Sequence, residues 1–101
     1  MTDYEICKRA VVHYGKNHQV LKMIEEMSEL TKALLKHLDD ELEQDYTKQI
    51  LQDAVDEEMA DVEIMLDQMK IIFDNRIRVG NQKVKKLDRL CWRMDHERSQ
   101  E

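Results

Sequence analysis

The sequence predicts an all-α fold, a single domain built as a four-helix bundle. The chain has 101 residues, no proline and only two glycines, whereas β-rich folds need turn residues at short intervals and nucleotide-binding α/β folds need glycine-rich loops. Apolar residues recur at alternating steps of four and three, the spacing of one helix face. A chain of this length forms one domain, which we assign to residues 1–98, and we expect residues 99–101 to fray.

The first helix is predicted from about Asp3 to Tyr14, with Thr2 or Asp3 as its N-cap and Gly15 as its stop signal. Asn17 is placed to cap the second helix. The residues expected to face the core on this second helix follow the same alternating spacing. They are Val20, Ile24, Met27, Thr31, Leu34 and Leu38.

Residues 39–45 (DDELEQD) lack a helical pattern and are predicted to connect the second and third helices, with Asp45 as the next N-cap. Such a short connection makes these two helices antiparallel neighbours. The core-facing positions of the third helix are Leu51, Val55, Glu58, Val62, Met65, Met69 and Ile72. The fourth helix begins between Asp74 and Asn81, with a stripe formed by Ile77, Gly80, Val84, Leu87, Cys91 and Met94.

Composition and charge exclude several classes of protein. The 22 acidic residues against 16 Lys and Arg give a net charge of −6, which argues against a nucleic-acid partner. No apolar run approaches the roughly 18 residues that a membrane helix needs, and the N-terminus lacks the apolar character of a signal peptide. The lone thiols Cys7 and Cys91 suit a reducing compartment. These features predict a cytoplasmic protein.

Charge is also segregated along the chain. Residues 17–73 hold 15 acids against 5 Lys and Arg, whereas residues 74–98 hold 4 acids against 8 Lys and Arg. This asymmetry suits an acidic site that recruits cations beside a basic element that meets an anion.

Two acids interrupt the apolar stripe of the third helix. Glu58 lies in its middle and Asp61 lies one turn further on the same face. An ionised carboxylate without a partner in an apolar stripe is strongly unfavourable, and two carboxylates one turn apart repel each other. A divalent cation would resolve both difficulties, although a polar position in a stripe can also serve to set helix register.

The second helix offers a matching pair. Glu26 and Glu29 have the same spacing and lie beside Glu25, so their side chains project from one face. Lys22 is placed to pair with Glu25 and Glu26, and a solvated acidic face is the simpler interpretation of this helix alone. Antiparallel packing of the second and third helices can nevertheless bring both pairs to one level.

The ligand types indicate which ion is expected. All candidate ligands are carboxylates, which favours Mg²⁺ first and Mn²⁺ or Ca²⁺ next, and argues against zinc. A ferritin-like di-iron site needs Glu-x-x-His on two helices, and none of the four histidines has a glutamate three residues before it. Mg²⁺ held by a few carboxylates commonly completes its shell with water and substrate phosphates, which points to phosphoanhydride chemistry.

The segments EEMSEL (25–30) and EEMAD (57–61) resemble the EExxE…ExxD signature of the MazG-like, all-α nucleoside triphosphate pyrophosphohydrolases, which include the dimeric dUTPases. The resemblance covers roughly residues 17–73. It implies that Mg²⁺ is coordinated by Glu26, Glu29, Glu58 and Asp61. Glu58 would thereby act in catalysis, and Glu25 would be a further ligand or orient the attacking water.

The resemblance also implies a reaction and an assembly. The family splits a nucleoside triphosphate between its α- and β-phosphates, giving the monophosphate and pyrophosphate, by attack of a metal-activated water. Its members build their sites from oligomers. A MazG-like bundle completed in a homodimer or homotetramer is therefore expected.

Candidate substrate-binding residues lie on the fourth and second helices. Cations flanking the fourth stripe could meet phosphates, although any one of them could simply solvate its helix. Gln19, one turn before Met23, is a candidate for contact with the edge of the base. The full set is Lys22, Lys83, Lys86, Asn81 and Gln19, with Arg89 as a further candidate.

Three hypotheses follow from the sequence. The first is a Mg²⁺-dependent nucleotide pyrophosphohydrolase. The second is a helical interaction or adaptor module in which buried Glu58 sets the pairing register. The third is a catalytically idle relative that binds nucleotide or metal as a regulator.

Overall fold

The computed structural model describes residues 1–39 and 45–98, and these residues form four helices. In chain order they are α1 (Asp3–Tyr14), α2 (Lys16–His37), α3 (Asp45–Ile72) and α4 (Arg76–Arg98). The described residues contain no strand, so the predicted all-α class is confirmed. No described helix has both the length and the apolar character needed to cross a membrane.

The ends of α1 follow from its local sequence. Thr2 is the N-cap, and its Oγ1 accepts a hydrogen bond from the Glu5 backbone N–H at 3.1 Å while Glu5 Oε2 accepts from the Thr2 N–H at 3.3 Å. This reciprocal capping box satisfies two backbone donors that the helix leaves free. Gly15 ends the helix, and its N–H donates to the Val11 carbonyl at 2.9 Å. The predicted bounds of α1 are confirmed.

Gly15 also begins the next helix, which corrects the predicted Asn17 cap. Gly15 has φ +92° and ψ 152°, and α2 starts directly after it at Lys16. Glycine adopts this conformation without steric penalty, so one residue suffices to turn the chain from α1 into α2. The third helix likewise includes Asp45, predicted as its cap, as its first residue. The predicted connection at residues 40–44 and the predicted tail at 99–101 lie outside the described residues.

Gly15→Ala is expected to lower the free energy of unfolding by about 1–3 kcal/mol, because alanine is strained in a backbone conformation with positive φ. The strain does not come from crowding, since nothing lies within 4 Å of the added Cβ. Gly80→Ala is the matched control. Gly80 lies within α4, and its added Cβ also meets nothing within 4 Å, so helix propensity predicts a gain of about 0.5–1 kcal/mol. Urea unfolding of the two variants measures both changes. Changes of the same sign would contradict this account of Gly15.

The first three helices pack together, and α2 and α3 share the largest interface. Gln19 hydrogen-bonds Gln68. An oxygen of Glu26, further along α2, lies within 4.8 Å of an oxygen of Asp61, which lies earlier on α3. The two helices are therefore antiparallel, as predicted. The buried apolar side chains of this core are Cys7, Val11, Met23, Ala33, Val55 and Met65.

The predicted core face is confirmed on α3 but wrong on α2. On α3, Val55 and Met65 are buried and the remaining stripe positions are half-buried. On α2 the predicted stripe is largely exposed, with Ile24 retaining 55% of its accessible surface. The α2 residues that pack inward are instead Gln19, Met23 and Ala33, with Glu26 and Leu30 half-buried between them. Helix α2 thus turns an acid-containing face toward α3 and leaves an apolar face outward.

Helix α4 extends beyond this three-helix core. Its apolar stripe is exposed within the single chain, including Val84, Leu87 and Met94, and its contacts with the other helices are few. The radius of gyration is 17.8 Å, compared with about 13 Å for a compact domain of this length. Contiguous apolar surface of this kind on α2 and α4 is typical of an interaction face.

Candidate metal centre

Three carboxylates from two helices converge at the α2–α3 interface. Glu26, Glu58 and Asp61 each place one oxygen so that the three atoms lie within 4.8 Å of one another. The helical spacing of Glu58 and Asp61 puts both on one face of α3, and Glu26 lies on the inward face of α2. The structure therefore brings together three of the four acids that the sequence singled out.

Glu58 is the most constrained of the three. Its Oε2 is buried, and no described residue donates a hydrogen bond to it. Burial, followed by the charges of Asp61 and Glu26, raises the pKa of Glu58 above its usual value. A buried anionic oxygen without a donor is unfavourable, so this atom is a ready ligand for a cation.

Asp61 is more exposed but is directly coupled to α2. Desolvation, followed by the charge of Glu26 and a hydrogen bond between the two carboxyl groups, raises the pKa of Asp61. Carboxylates whose oxygens lie within 4.8 Å of each other repel when both are ionised, and a divalent cation between them would relieve that repulsion.

Lys22 partly neutralises the α2 side of the cluster. Its Nζ lies 3.2 Å from Glu26 Oε1 and 3.7 Å from Glu25 Oε2, so the pairing considered from the sequence is present. The hydrogen bond to Glu26, above all, raises the pKa of Lys22. No ion pair joins Lys22 to Glu58 in the described part of the chain. The negative charge on the α3 side is therefore left without a cation in contact.

The other two acids of α2 lie at the edge of the cluster. Glu29 is exposed and pairs with Lys32 Nζ at 3.3 Å, so it is not among the three converging oxygens. Its charge still helps to raise the pKa of Glu58. Glu25 is exposed and lines a neighbouring cavity. The structure places both near the site and neither in its centre.

The predicted phosphate-binding residues of α4 are not brought to the cluster within one chain. Asn81, Lys83, Lys86 and Arg89 are all exposed. Lys83 and Lys86 flank a shallow apolar groove whose described lining belongs entirely to α4. Helix α4 has few contacts with the other described helices, so these side chains are not part of the α2–α3 cluster.

Gln19 is buried two turns of α2 before Glu26, at a cavity that the sequence did not reveal. It donates from Nε2 to Gln68 Oε1 at 2.7 Å, and both residues line a cavity of about 470 Å³ together with Tyr14 and His18. Lys22 and Glu25 line the same cavity, and Lys22 also pairs with Glu26 of the acidic cluster. The three converging acids are not among the described residues that line the cavity. One signal could have revealed Gln68, because it lies seven residues after Asp61 and thus on the same face of α3.

The arrangement fits a hard divalent cation. All three converging ligands are carboxylate oxygens, the donor type that Mg²⁺ and Mn²⁺ favour. The unpartnered Glu58 oxygen and the raised pKa values of Glu58 and Asp61 indicate negative charge that the described residues do not balance. A bound cation would relieve that repulsion.

The metal-free protein is expected to lose stability as the pH rises from acid to neutral. The folded-state pKa of Glu58 is raised above its usual 4.5, so the folded state binds this proton more tightly than the unfolded state. The corresponding stability is fully present below pH 4.5 and is lost as the pH rises through the folded pKa.

Thermal unfolding in EDTA across this pH range measures the effect. Glu58→Gln should flatten the pH dependence relative to wild type, because the amide does not titrate. Glu63→Gln changes an exposed acid of the same helix and should leave the dependence unaltered. A Glu58→Gln profile parallel to wild type would contradict the raised pKa.

Comparisons of the chain with protein-family models, with curated proteins and with solved structures found no significant match. The MazG-like resemblance therefore stays a prediction. Its support is the motif in residues 25–30 and 57–61 and the convergence of acids from the two segments.

Proposed function

We propose that the protein is a Mg²⁺-dependent nucleoside triphosphate pyrophosphohydrolase of the MazG-like kind. The observation that carries this proposal is the meeting of Glu26, Glu58 and Asp61 oxygens within 4.8 Å at a helix interface. An adaptor that needed one polar residue for register would not require three acids at one point. Mg²⁺ that is held by only a few carboxylates commonly completes its coordination with substrate phosphates, such as those of a nucleotide.

Each acid has a role in this proposal. Glu26, Glu58 and Asp61 would hold Mg²⁺, with Glu29 as a further ligand from the next turn of α2. Mg²⁺ supplies charge neutralisation for the phosphates and lowers the pKa of water. Glu25, which is exposed, would orient the attacking water. Lys22 pairs with Glu25 and Glu26 in this structure. When a cation binds these acids, Lys22 would instead pair with a phosphate oxygen of the substrate.

The proposal includes a homodimer or homotetramer in a reducing cytoplasm. The exposed apolar faces of α2 and α4 and the radius of gyration of 17.8 Å support an assembly in which a second copy covers these faces. The basic α4 and the acidic α2–α3 pair are complementary in charge. In such an assembly Lys83 and Lys86 of one copy can approach the acids of another.

Pyrophosphate release tests the proposal. Purified protein with Mg²⁺ is expected to release pyrophosphate and the nucleoside monophosphate from at least one nucleoside triphosphate, in a panel of ribonucleotides, deoxyribonucleotides and damaged nucleotides. Mn²⁺ should also support the reaction. EDTA should abolish it, and restored Mg²⁺ should return it. Inactivity toward the entire panel, with nucleotide still bound, would favour the catalytically idle regulator instead.

A further inference from the structure

We propose that the cavity beside the acidic cluster binds the nucleobase of the substrate, and that Gln68 selects bases with a carbonyl oxygen at their edge. The inference rests on the proposed function, because it places the base of the nucleotide whose phosphates would meet the carboxylates. It adds a substrate class and names a residue that the sequence motif does not contain.

The cavity has the size and lining of a small-molecule site. Its volume of about 470 Å³ falls within the roughly 300–1,000 Å³ typical of ligand pockets. Ala10, Leu21 and Met65 provide apolar surface, and the amides of Gln19 and Gln68 provide polar groups. Both glutamines retain only 4% of their accessible surface. A pocket with apolar walls and a few fixed polar groups suits a planar heterocycle.

A chain of hydrogen bonds decides which group Gln68 has left to offer. The amide oxygen of Gln19 can only accept, so His18 Nδ1, 2.7 Å away, must carry the hydrogen and donate. Gln19 Nε2 then donates to Gln68 Oε1 at 2.7 Å. No hydrogen bond from Gln68 Nε2 joins it to another described residue, and this nitrogen is not among the buried polar atoms without a partner, so it is accessible at the cavity. The group that this chain leaves free is therefore an N–H donor, which selects a carbonyl oxygen.

Two rings stand at the same cavity. Tyr14 and His18 are stacked with centroids 5.3 Å apart and planes 16° apart, and both line the cavity. A pair of near-parallel rings offers a planar surface against which a base can stack. Stacking on Tyr14 therefore stabilises the binding of any base, whereas the hydrogen bond from Gln68 distinguishes one base from another.

The separation from the acids fits one nucleotide. On α2, Gln19 precedes Glu26 by seven residues, which corresponds to about 10 Å along the helix. Gln68 follows Asp61 by the same number of residues on α3. The sugar of a nucleotide can therefore bridge a base held by the glutamines and phosphates held near the carboxylates, with Lys22 between them.

Deoxyinosine and deoxyadenosine triphosphates test the selection, because they differ only at the edge of the purine where one has a carbonyl and the other an amino group. With Mg²⁺, kcat/KM for the deoxyinosine nucleotide is expected to exceed that for the deoxyadenosine nucleotide by about tenfold, the scale of one hydrogen bond. Gln68→Met should reduce this ratio to near one. An equal kcat/KM for the two nucleotides, or a ratio that survives Gln68→Met, would overturn the proposal.

A second variant keeps the test valid if Gln68→Met fails to fold. Tyr14→Ala removes a ring that retains 56% of its surface, so folding should tolerate it. It should lower kcat/KM for both nucleotides, because either base would lose the ring against which it stacks. Tyr4→Ala is the matched control, because Tyr4 lies on the same helix, is similarly exposed at 52% and does not line this cavity. An identical effect of the two tyrosine variants would count against the base site.

Binding separates failure of this inference from failure of the proposed function. Calorimetry with deoxyinosine and deoxyadenosine monophosphates needs no turnover. If deoxyinosine monophosphate binds about tenfold more tightly than deoxyadenosine monophosphate, and Gln68→Met abolishes the difference, the base site is supported even if no triphosphate is hydrolysed. Hydrolysis without discrimination, or equal binding of the two monophosphates, overturns the base site and leaves the pyrophosphohydrolase proposal standing.

Discussion

Glu58→Gln is expected to lower kcat for pyrophosphate release by about 100-fold or more, the scale of losing a positioned catalytic group. The amide has the shape of the carboxyl group but lacks the charge that would hold Mg²⁺. Because the Glu58 Oε2 is buried without a donor and its pKa is raised, the neutral side chain should fold at least as stably as wild type without metal. Loss of activity would therefore not reflect unfolding.

The control for this prediction is Glu63→Gln. Glu63 lies on α3 but is exposed, so the same chemical change should leave kcat within about twofold, the effect expected of a surface substitution. Pyrophosphate release with saturating nucleotide and Mg²⁺ compares the three proteins. Full activity in Glu58→Gln would remove Glu58 from the mechanism.

Addition of Mg²⁺ is expected to raise the thermal midpoint of the wild-type protein by roughly 10–20 °C. A ligand that binds only the folded state at 100 times its Kd adds about 2.7 kcal/mol, and each kcal/mol shifts the midpoint of a domain of this size by about 4–8 °C. The physical source of the gain is relief of repulsion among Glu26, Glu58 and Asp61, whose oxygens lie within 4.8 Å.

This melting experiment also separates the enzyme from the adaptor hypothesis. K⁺ at matched ionic strength controls for general screening of the net charge of −6. Glu58→Gln should retain only a small part of the Mg²⁺ effect, whereas Glu63→Gln should retain all of it. An adaptor in which Glu58 sets register would melt at the same temperature with and without Mg²⁺. Protein concentration must be held constant, because an oligomer melts at a concentration-dependent midpoint.

The α2–α3 pair organises the candidate site along a single interface. At one level Glu26 meets Asp61, and two turns away Gln19 meets Gln68. Met65 and Lys22 occupy the levels between these pairs. A site for charged phosphates and a site for a base can therefore share one groove without any specialised loop. Such an arrangement would let a short chain with only two glycines hold the proposed nucleotide site.

Local sequence patterns predicted the helices and the unusual position of Glu58 within the apolar stripe of α3. The capping box of Thr2 and the stop at Gly15 depend on near neighbours in sequence, so the bounds of α1 could be read directly. The periodicity of α3 placed Glu58 among apolar residues before any neighbour was known. Periodicity predicts the buried face of α3 correctly because this helix has a single apolar face, and that face packs against the neighbouring helices.

Tertiary packing decided the rest, for a physical reason visible on α2. That helix has two apolar faces, and sequence periodicity selected the one containing Ile24, which is 55% exposed. Contact with α3 instead buries the face of Gln19, Met23 and Ala33, which carries Glu26 to the acids of α3. The sequence by itself determined the helical class, the bounds of α1 and the anomalous position of Glu58. The rotation of α2, and with it the convergence of the acids and the Gln19–Gln68 pair, depends on contacts between residues about 30–50 positions apart, and no local pattern encodes their register.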